Sequence, residues 1–282
     1  MALELIEEHA CFGGRQAVYR HDSAATGTPM EFALFLPDGA ERTPPPLLTY
    51  LSGLTCTWAN ATEKAGAQRY AAEHGVALLV PDTSPRGTDL PGEHEAYDFG
   101  SGAGFYVDAP PEPWTRHYRM ETYVAEELPA LVAEAFPADL ARQGIFGHSM
   151  GGHGALTMAF KNPGRYRSLS AFAPIVAPSQ VPWGEKAFTG YLGPDREAWR
   201  AHDACALVGS SGWAGPILVD QGLADPFLAK QLRPELFEAA CAAAGVPLTL
   251  RRHDGYDHSY YFISTFMGDH IAHHARALTE IS

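Results

Sequence analysis

The chain has 282 residues, 46% of them apolar and 19% charged, a balance that supports a large buried core. With 33 acidic and 20 basic residues its formal charge is −13, which argues against bulk-charge binding to nucleic acid or anionic membranes. No run approaches the roughly 18 uninterrupted apolar residues of a membrane span, and the opening MALELIEEHACFGG has neither the basic nor the apolar region of a signal peptide, so a cytoplasmic location is expected.

In chain order, residues 3–9, 16–20 and 30–36 read as strands. The apolar run 47–51 follows three prolines and fits a buried parallel strand. A helix is predicted over 59–74, closed by Gly75 at its C-terminal cap, and a second buried strand over 76–80. Residues 82–118 break the rhythm. Rich in Gly, Pro and aromatics, they predict an ordered excursion near a site. A helix over 118–136, disturbed at Pro129, leads to a strand at 143–147, a helix at 150–162 and a strand at 168–173. Residues 174–193 read as a second irregular segment. The pattern closes with strands at 216–220 and 248–252 and helices at 226–244 and 260–278. Strands alternating with helices predict a mostly parallel sheet covered on both faces. With no internal repeat or dividing linker, one α/β domain is expected over 1–282.

Gly147-His148-Ser149-Met150-Gly151 matches GxSxG between an apolar strand and a helix, the setting of an α/β-hydrolase nucleophile. Small residues are needed there because the sharp turn brings backbone close to its neighbours and strains the serine. A serine hydroxyl needs a base, and the base a carboxylate to orient it. In the chain order Ser, acid, His, the candidates are Asp225 in GLADPF and His258 in DGYDHS, each just beyond a late strand. Asp220 competes for the acid role. Asp254 and Asp257 lie too close to His258 in sequence to orient it easily, and His148 and His153 flank the turn. An oxyanion hole needs two donors: the N–H of Met150 and one from an earlier loop, for which LSGLT offers Leu54 after Gly53.

Eight ordered blocks, LSGLTCT, DTSPRG, GAGFYVDA, YRMETYVAEELP, FGHSMGGHGAL, PWGEKAF, DQGLADPFL and GYDHSYYFI, carry a resemblance to the S-formylglutathione hydrolase (esterase D) family over nearly the whole chain. The resemblance implies an α/β-hydrolase fold, with Ser149 as nucleophile, Asp225 as acid and His258 as base. It also implies Leu54 and Met150 as oxyanion donors, Cys56 as a thiol beside the site associated with inactivation by alkylating reagents, and a common dimeric state. The implied substrate is the small molecule S-formylglutathione. Formyl is the smallest acyl group, so a tight acyl pocket closed by Trp183 and Phe105 is expected, with Lys186 or Arg86 pairing with a glutathione carboxylate. Glu185 in WGEKAF is a variation that could alter the glutathione pocket.

Two rival readings share much of this pattern: a broad short-chain carboxylesterase with the same triad, and a non-enzymatic binding module on a hydrolase fold. No cofactor or metal is expected. Cys11, Cys56, Cys205 and Cys241 lie far apart without zinc spacing, so neither a zinc site nor a disulfide framework is expected. The HIAHH histidines, His270, His273 and His274, have no obvious third ligand. Gly100, Gly102 and Gly104 have no strand before them to make a dinucleotide fingerprint.

Overall fold

Nine strands form one sheet in the order β1-β2-β3-β5-β4-β6-β7-β8-β9, as the computed structural model, which describes residues 3–279, shows. The strands are β1 (Leu3–Cys11), β2 (Gly14–Asp22), β3 (Pro29–Leu36), β4 (Pro46–Leu51), β5 (Ala77–Pro81), β6 (Asp139–His148), β7 (Tyr166–Phe172), β8 (Ile217–Gly222) and β9 (Leu248–His253). From β1 to β5 neighbours pair antiparallel, and from β5 through β4 to β9 every pairing is parallel. Strands β4, β5 and β8 are buried along their whole length, as expected where helices cover both faces. The outer strand β1 is almost wholly exposed.

Several predicted elements take a different form. The single helix expected over 59–74 is two, Trp58–Lys64 and Ala67–His74, because Gly66 adopts the left-handed conformation at φ 66° between them. Gly75 does cap the second, its N–H donating to the carbonyls of Ala71 and Ala72. In the helix expected over 118–136 the disturbance precedes Pro129. A π-turn at Tyr123–Glu127 runs directly into Leu128–Ala135, and Pro129, which has no N–H to give back to the preceding turn, sits where the wider turn hands over to the α-helix. The helix predicted over 226–244 divides into a π-turn, Leu228–Leu232, and a helix, Pro234–Ala244, at Arg233 with φ 50°.

The segment 174–193, expected to be irregular, contains the ten-residue helix Pro182–Tyr191. Its glycines answer to packing rather than to turns. A Cβ on Gly184 would lie 2.1 Å from the Pro178 carbonyl oxygen, and one on Gly190 would lie 2.3 Å from the Phe99 ring. Phe99 belongs to the excursion 82–118 and stacks on Tyr191 at 4.5 Å, with Trp114 4.9 Å away. The excursion is thereby ordered against this helix.

A chain of buried hydrogen bonds joins the C-terminal helix, Tyr260–Thr279, to β7 and β8. A carboxylate only accepts, so His270 donates from Nε2 to Asp220 (3.2 Å), which leaves its Nδ1 to accept from the Ser170 hydroxyl (2.8 Å). Ser170 then accepts from His274 Nε2 (2.8 Å), whose Nδ1 accepts from Ser168 (2.6 Å). The direction of each bond follows from the one before. The helix behind the His258 loop is thus held in one register.

Candidate active site

The parallel strands bring four loops to one edge of the sheet, beyond their C-terminal ends, where open α/β sheets bind ligands. Ser149 sits in the turn between β6 and the helix Met150–Lys161 at φ 58° and ψ −117°, a strained backbone for a residue with a side chain. The strain is held from several sides. Ser149 N–H donates to the Phe172 carbonyl (3.0 Å), and the Ser149 carbonyl accepts from His153 (3.0 Å) and Ile175 (3.2 Å). Closeness explains both motif glycines. A Cβ on Gly147 would lie 2.4 Å from the Gly151 carbonyl oxygen, and one on Gly151 would lie 1.9 Å from that of Leu51.

The ends of β8 and β9 are stitched together by backbone. Leu223 donates to the His253 carbonyl and Ala224 to that of Tyr256, both at 2.9 Å. Across this join His258 Nδ1 meets Asp225 Oδ2 at 2.5 Å. Asp225 is buried, and its other oxygen accepts from the Phe227 N–H (2.8 Å). Because the carboxylate only accepts, Nδ1 carries the proton and Nε2 is left as the basic nitrogen. Ser149 and His258 line the same cavity, of about 320 Å³. The Asp225–His258 contact is a formed hydrogen bond, while Ser149 and His258 share a wall; hydrogen bonds of that second kind often tighten only when substrate binds.

Asp220 has other partners. Arg251 grips it from Nε (2.6 Å) and Nη2 (2.5 Å), and His270 donates to it, so it belongs to the buried chain behind the sheet. These contacts hold its carboxyl well below the usual range. His153 bonds the Phe105 carbonyl (3.0 Å) on the core side of the turn. His270 and His274 are in the serine relay, and His273 bonds the Leu169 carbonyl (3.1 Å).

Leu54 lines the cavity, and the following two N–H groups, of Thr55 and Cys56, donate to the carbonyls of Gly102 (2.9 Å) and Gly53 (3.3 Å). Among the described residues no acceptor takes the N–H of Leu54 itself. Met150 opens its helix, where first-turn N–H groups have no partner within the helix. A Cβ on Gly53 would lie 3.2 Å from Ser149 Cβ, so glycine there lets this loop approach the serine.

Known proteins match the chain that carries this fold, this glycine-lined serine turn and the Asp225–His258 pair. The chain matches the putative esterase family over residues 23–273. It is 54% identical over 282 residues to the S-formylglutathione hydrolase of Rattus norvegicus, covering 99% of each chain. To that of Paracoccus denitrificans it is 55% identical over 278 residues, again covering 99% of each. The solved S-formylglutathione hydrolase of Agrobacterium tumefaciens superposes with a TM-score of 0.95 at 55% identity, covering 97% of this chain and 99% of that one.

The chain belongs to the S-formylglutathione hydrolase family. As a member of the S-formylglutathione hydrolase family it has an α/β-hydrolase fold, and no helix among the described residues is long and apolar enough to cross a membrane.

Three of the residues expected at the pocket of this S-formylglutathione hydrolase family member lie off the cavity wall. Phe105 does not line the cavity: it is wholly buried, 5.9 Å from the His153 ring and 6.4 Å from Phe188, so it is core. Arg86 is clamped on Asp82 (2.8 and 2.9 Å) and on the Cys56 carbonyl (3.1 Å), bracing the loop rather than facing the cavity. Lys186 is paired with Asp98 and also lies off the wall. Trp183 does line it, packed 4.7 Å from Phe227, which in turn lies 5.1 Å from the His258 ring. Cys56 lines it too, and burial pushes its thiol up.

Sequence reasoning gave no site role to five wall residues: Thr55, Asn60, Tyr97, Phe227 and Tyr260. For Asn60 a signal existed. Thr57 and Asn60 form a capping box, in which the Asn60 amide oxygen accepts from the Thr57 N–H (3.0 Å).

Proposed function

We propose that this protein hydrolyses S-formylglutathione to glutathione and formate, with Ser149 as nucleophile, His258 as general base and acid, and Asp225 orienting His258. The observation that carries the reading is the His258–Asp225 hydrogen bond beside a cavity that Ser149 also lines. In the first step Ser149 Oγ attacks the formyl carbonyl while His258 Nε2 takes the hydroxyl proton. The N–H groups of Leu54 and Met150 stabilise the tetrahedral oxyanion. The C–S bond breaks and glutathione leaves as thiol, taking the proton from His258, or as thiolate, in which case His258 gives the proton to solvent; either way His258 is neutral again. Water then gives a proton to His258 and attacks the formyl-serine, releasing formate and restoring the hydroxyl.

Trp183 supports a small acyl group, since it narrows the wall beside Phe227 and His258. The reading extends to a homodimer in the cytoplasm. The four cysteines are unpaired, which fits a reducing compartment, and sedimentation gives the subunit number.

The test compares kcat/KM for S-formylglutathione and p-nitrophenyl acetate, in the native protein and in Ser149→Ala. A strong preference for the thioester is expected, with the variant down by about 10⁴-fold or more on both substrates. Comparable kcat/KM on the two substrates would favour a broad carboxylesterase, and near-native activity in Ser149→Ala would remove the serine mechanism. Labelling of Ser149 by a fluorophosphonate separates an enzyme from a binding module.

A further inference from the structure

Among the described residues the cavity wall carries no Asp, Glu, Lys or Arg. An anionic thiol such as glutathione therefore meets no cation on this wall, and the two cations expected to pair with it, Arg86 and Lys186, are held by Asp82 and Asp98. The polar groups that remain are neutral, and their hydrogen-bonding directions can be worked out. The Asn60 amide oxygen accepts from the Thr57 N–H, which orients the amide and leaves its NH2 without a partner among the described residues. An amide NH2 only donates. Tyr97 Oη accepts from Trp183 Nε1 (3.1 Å), which leaves the Tyr97 hydroxyl proton to be given away. Tyr260 Oη and both His148 ring nitrogens are buried away from solvent, so they offer nothing to a ligand entering from outside.

We propose that Asn60 and Tyr97 determine specificity for the leaving thiol, recognising a peptide carbonyl of it by neutral hydrogen bonds while its carboxylates stay in solvent. The substrate class this selects is a thioester of a peptide-like thiol, and the inference rests on the proposed thioesterase function. Recognition of this kind depends little on ionic strength, because no charge pair is made.

Asn60→Asp is the informative variant. Its carboxylate still accepts from the Thr57 N–H, so the capping box survives and the protein folds, which an unchanged Tm verifies. The amide donor of this wall residue becomes an anionic acceptor. The measurement is the ratio of kcat/KM for S-formylglutathione to that for p-nitrophenyl acetate, which lacks a peptide group, at low and high salt. Native protein is expected to hold a constant ratio from about 0.02 to 0.5 M salt. Asn60→Asp is expected to lower the ratio about tenfold or more, with partial recovery at high salt, and Tyr97→Phe to lower it severalfold. A ratio unchanged in both variants overturns the inference. So does a native ratio that falls steeply with salt, which would mean that a cation reads the carboxylates. Native protein inert toward S-formylglutathione but active on the ester is a separate result: it removes the proposed function, and this inference with it.

Discussion

The ring of His148 lies 4.3 Å from the ring of His258, centroid to centroid, tilted by 45°. His148 is wholly buried and neither of its ring nitrogens has a partner among the described residues. Burial, and then the positive charge that His258 takes up, hold its pKa well below the ordinary value. In the proposed mechanism His258 therefore works beside an imidazole that stays neutral.

This gives a prediction about the acid limb of activity. His258 must be neutral to accept the serine proton, so kcat/KM falls when it is protonated. With His148 silent, a plot of log kcat/KM against pH is expected to fall with unit slope. A slope approaching two would show His148 protonating over the same range.

A second prediction concerns Gly151. A Cβ there would sit 1.9 Å from the Leu51 carbonyl oxygen and 2.4 Å from its carbon. Leu51 ends β4 and leads through Ser52 into Gly53 and Leu54, so the clash would push the Gly53–Leu54 loop, which holds the proposed oxyanion donor, off the serine turn. Gly151→Ala is expected to lose about 3 kcal/mol or more of stability, read by urea unfolding, and to react more slowly with fluorophosphonate. Native stability and labelling would show that the turn can open without cost.

The serine turn was legible because its strain is written locally, in Gly147 and Gly151 on either side of Ser149. Asp225 and His258 were legible because each follows an apolar strand, and strand ends map onto one edge of the sheet. Direction was harder. Phe105 and Trp183 are both aromatics in glycine-rich surroundings, and nothing local says that one enters the core and the other faces the cavity. Lys186 read as a free cation because its partner, Asp98, lies 88 residues away. The helix Pro182–Tyr191 was hidden for a related reason: Gly184 and Gly190 are small because Pro178 and Phe99 press on them, and a glycine kept small by a neighbour looks the same in sequence as one that ends a helix.

Acid should unfold this protein steeply. Seven histidines, His21, His148, His153, His202, His270, His273 and His274, are held below their ordinary pKa, in each case first by burial. His153 and His273 fall to about 4 and His202 to about 3. Below about pH 6.5 the unfolded chain takes up protons at these positions while the folded one does not. Their contribution is therefore complete above that pH and is lost progressively as pH falls toward the folded values. Each wholly buried histidine weakens the fold by up to about 1.4 kcal/mol per pH unit in that window. For His270 and His274 the relay adds to burial, since a proton on either Nδ1 would face the hydroxyl of Ser170 or Ser168 that donates to it. Urea midpoints are expected to be flat from pH 8 to 7 and to drop sharply between pH 6 and 4.5. A midpoint constant down to pH 5 would show that these histidines stay as protonated in the fold as outside it.

Cys56 combines a fixed backbone with a side chain on the cavity wall. Its carbonyl accepts from Thr83 Oγ1 (2.5 Å) and Arg86 Nη2 (3.1 Å), so a group attached to the sulfur cannot be carried away by the loop. The thiol makes no contact that the proposed chemistry requires, and Cys56→Ser is expected to keep kcat/KM within a few-fold of native while losing sensitivity to a bulky maleimide. Because burial raises the thiol pKa above its ordinary value, the thiolate that reacts is scarce at neutral pH. The rate of inactivation in native protein is therefore expected to be still climbing at pH 9. A plateau by pH 8 would mean a thiolate stabilised in the cavity, and an inactive Cys56→Ser would give the sulfur a direct part in the reaction.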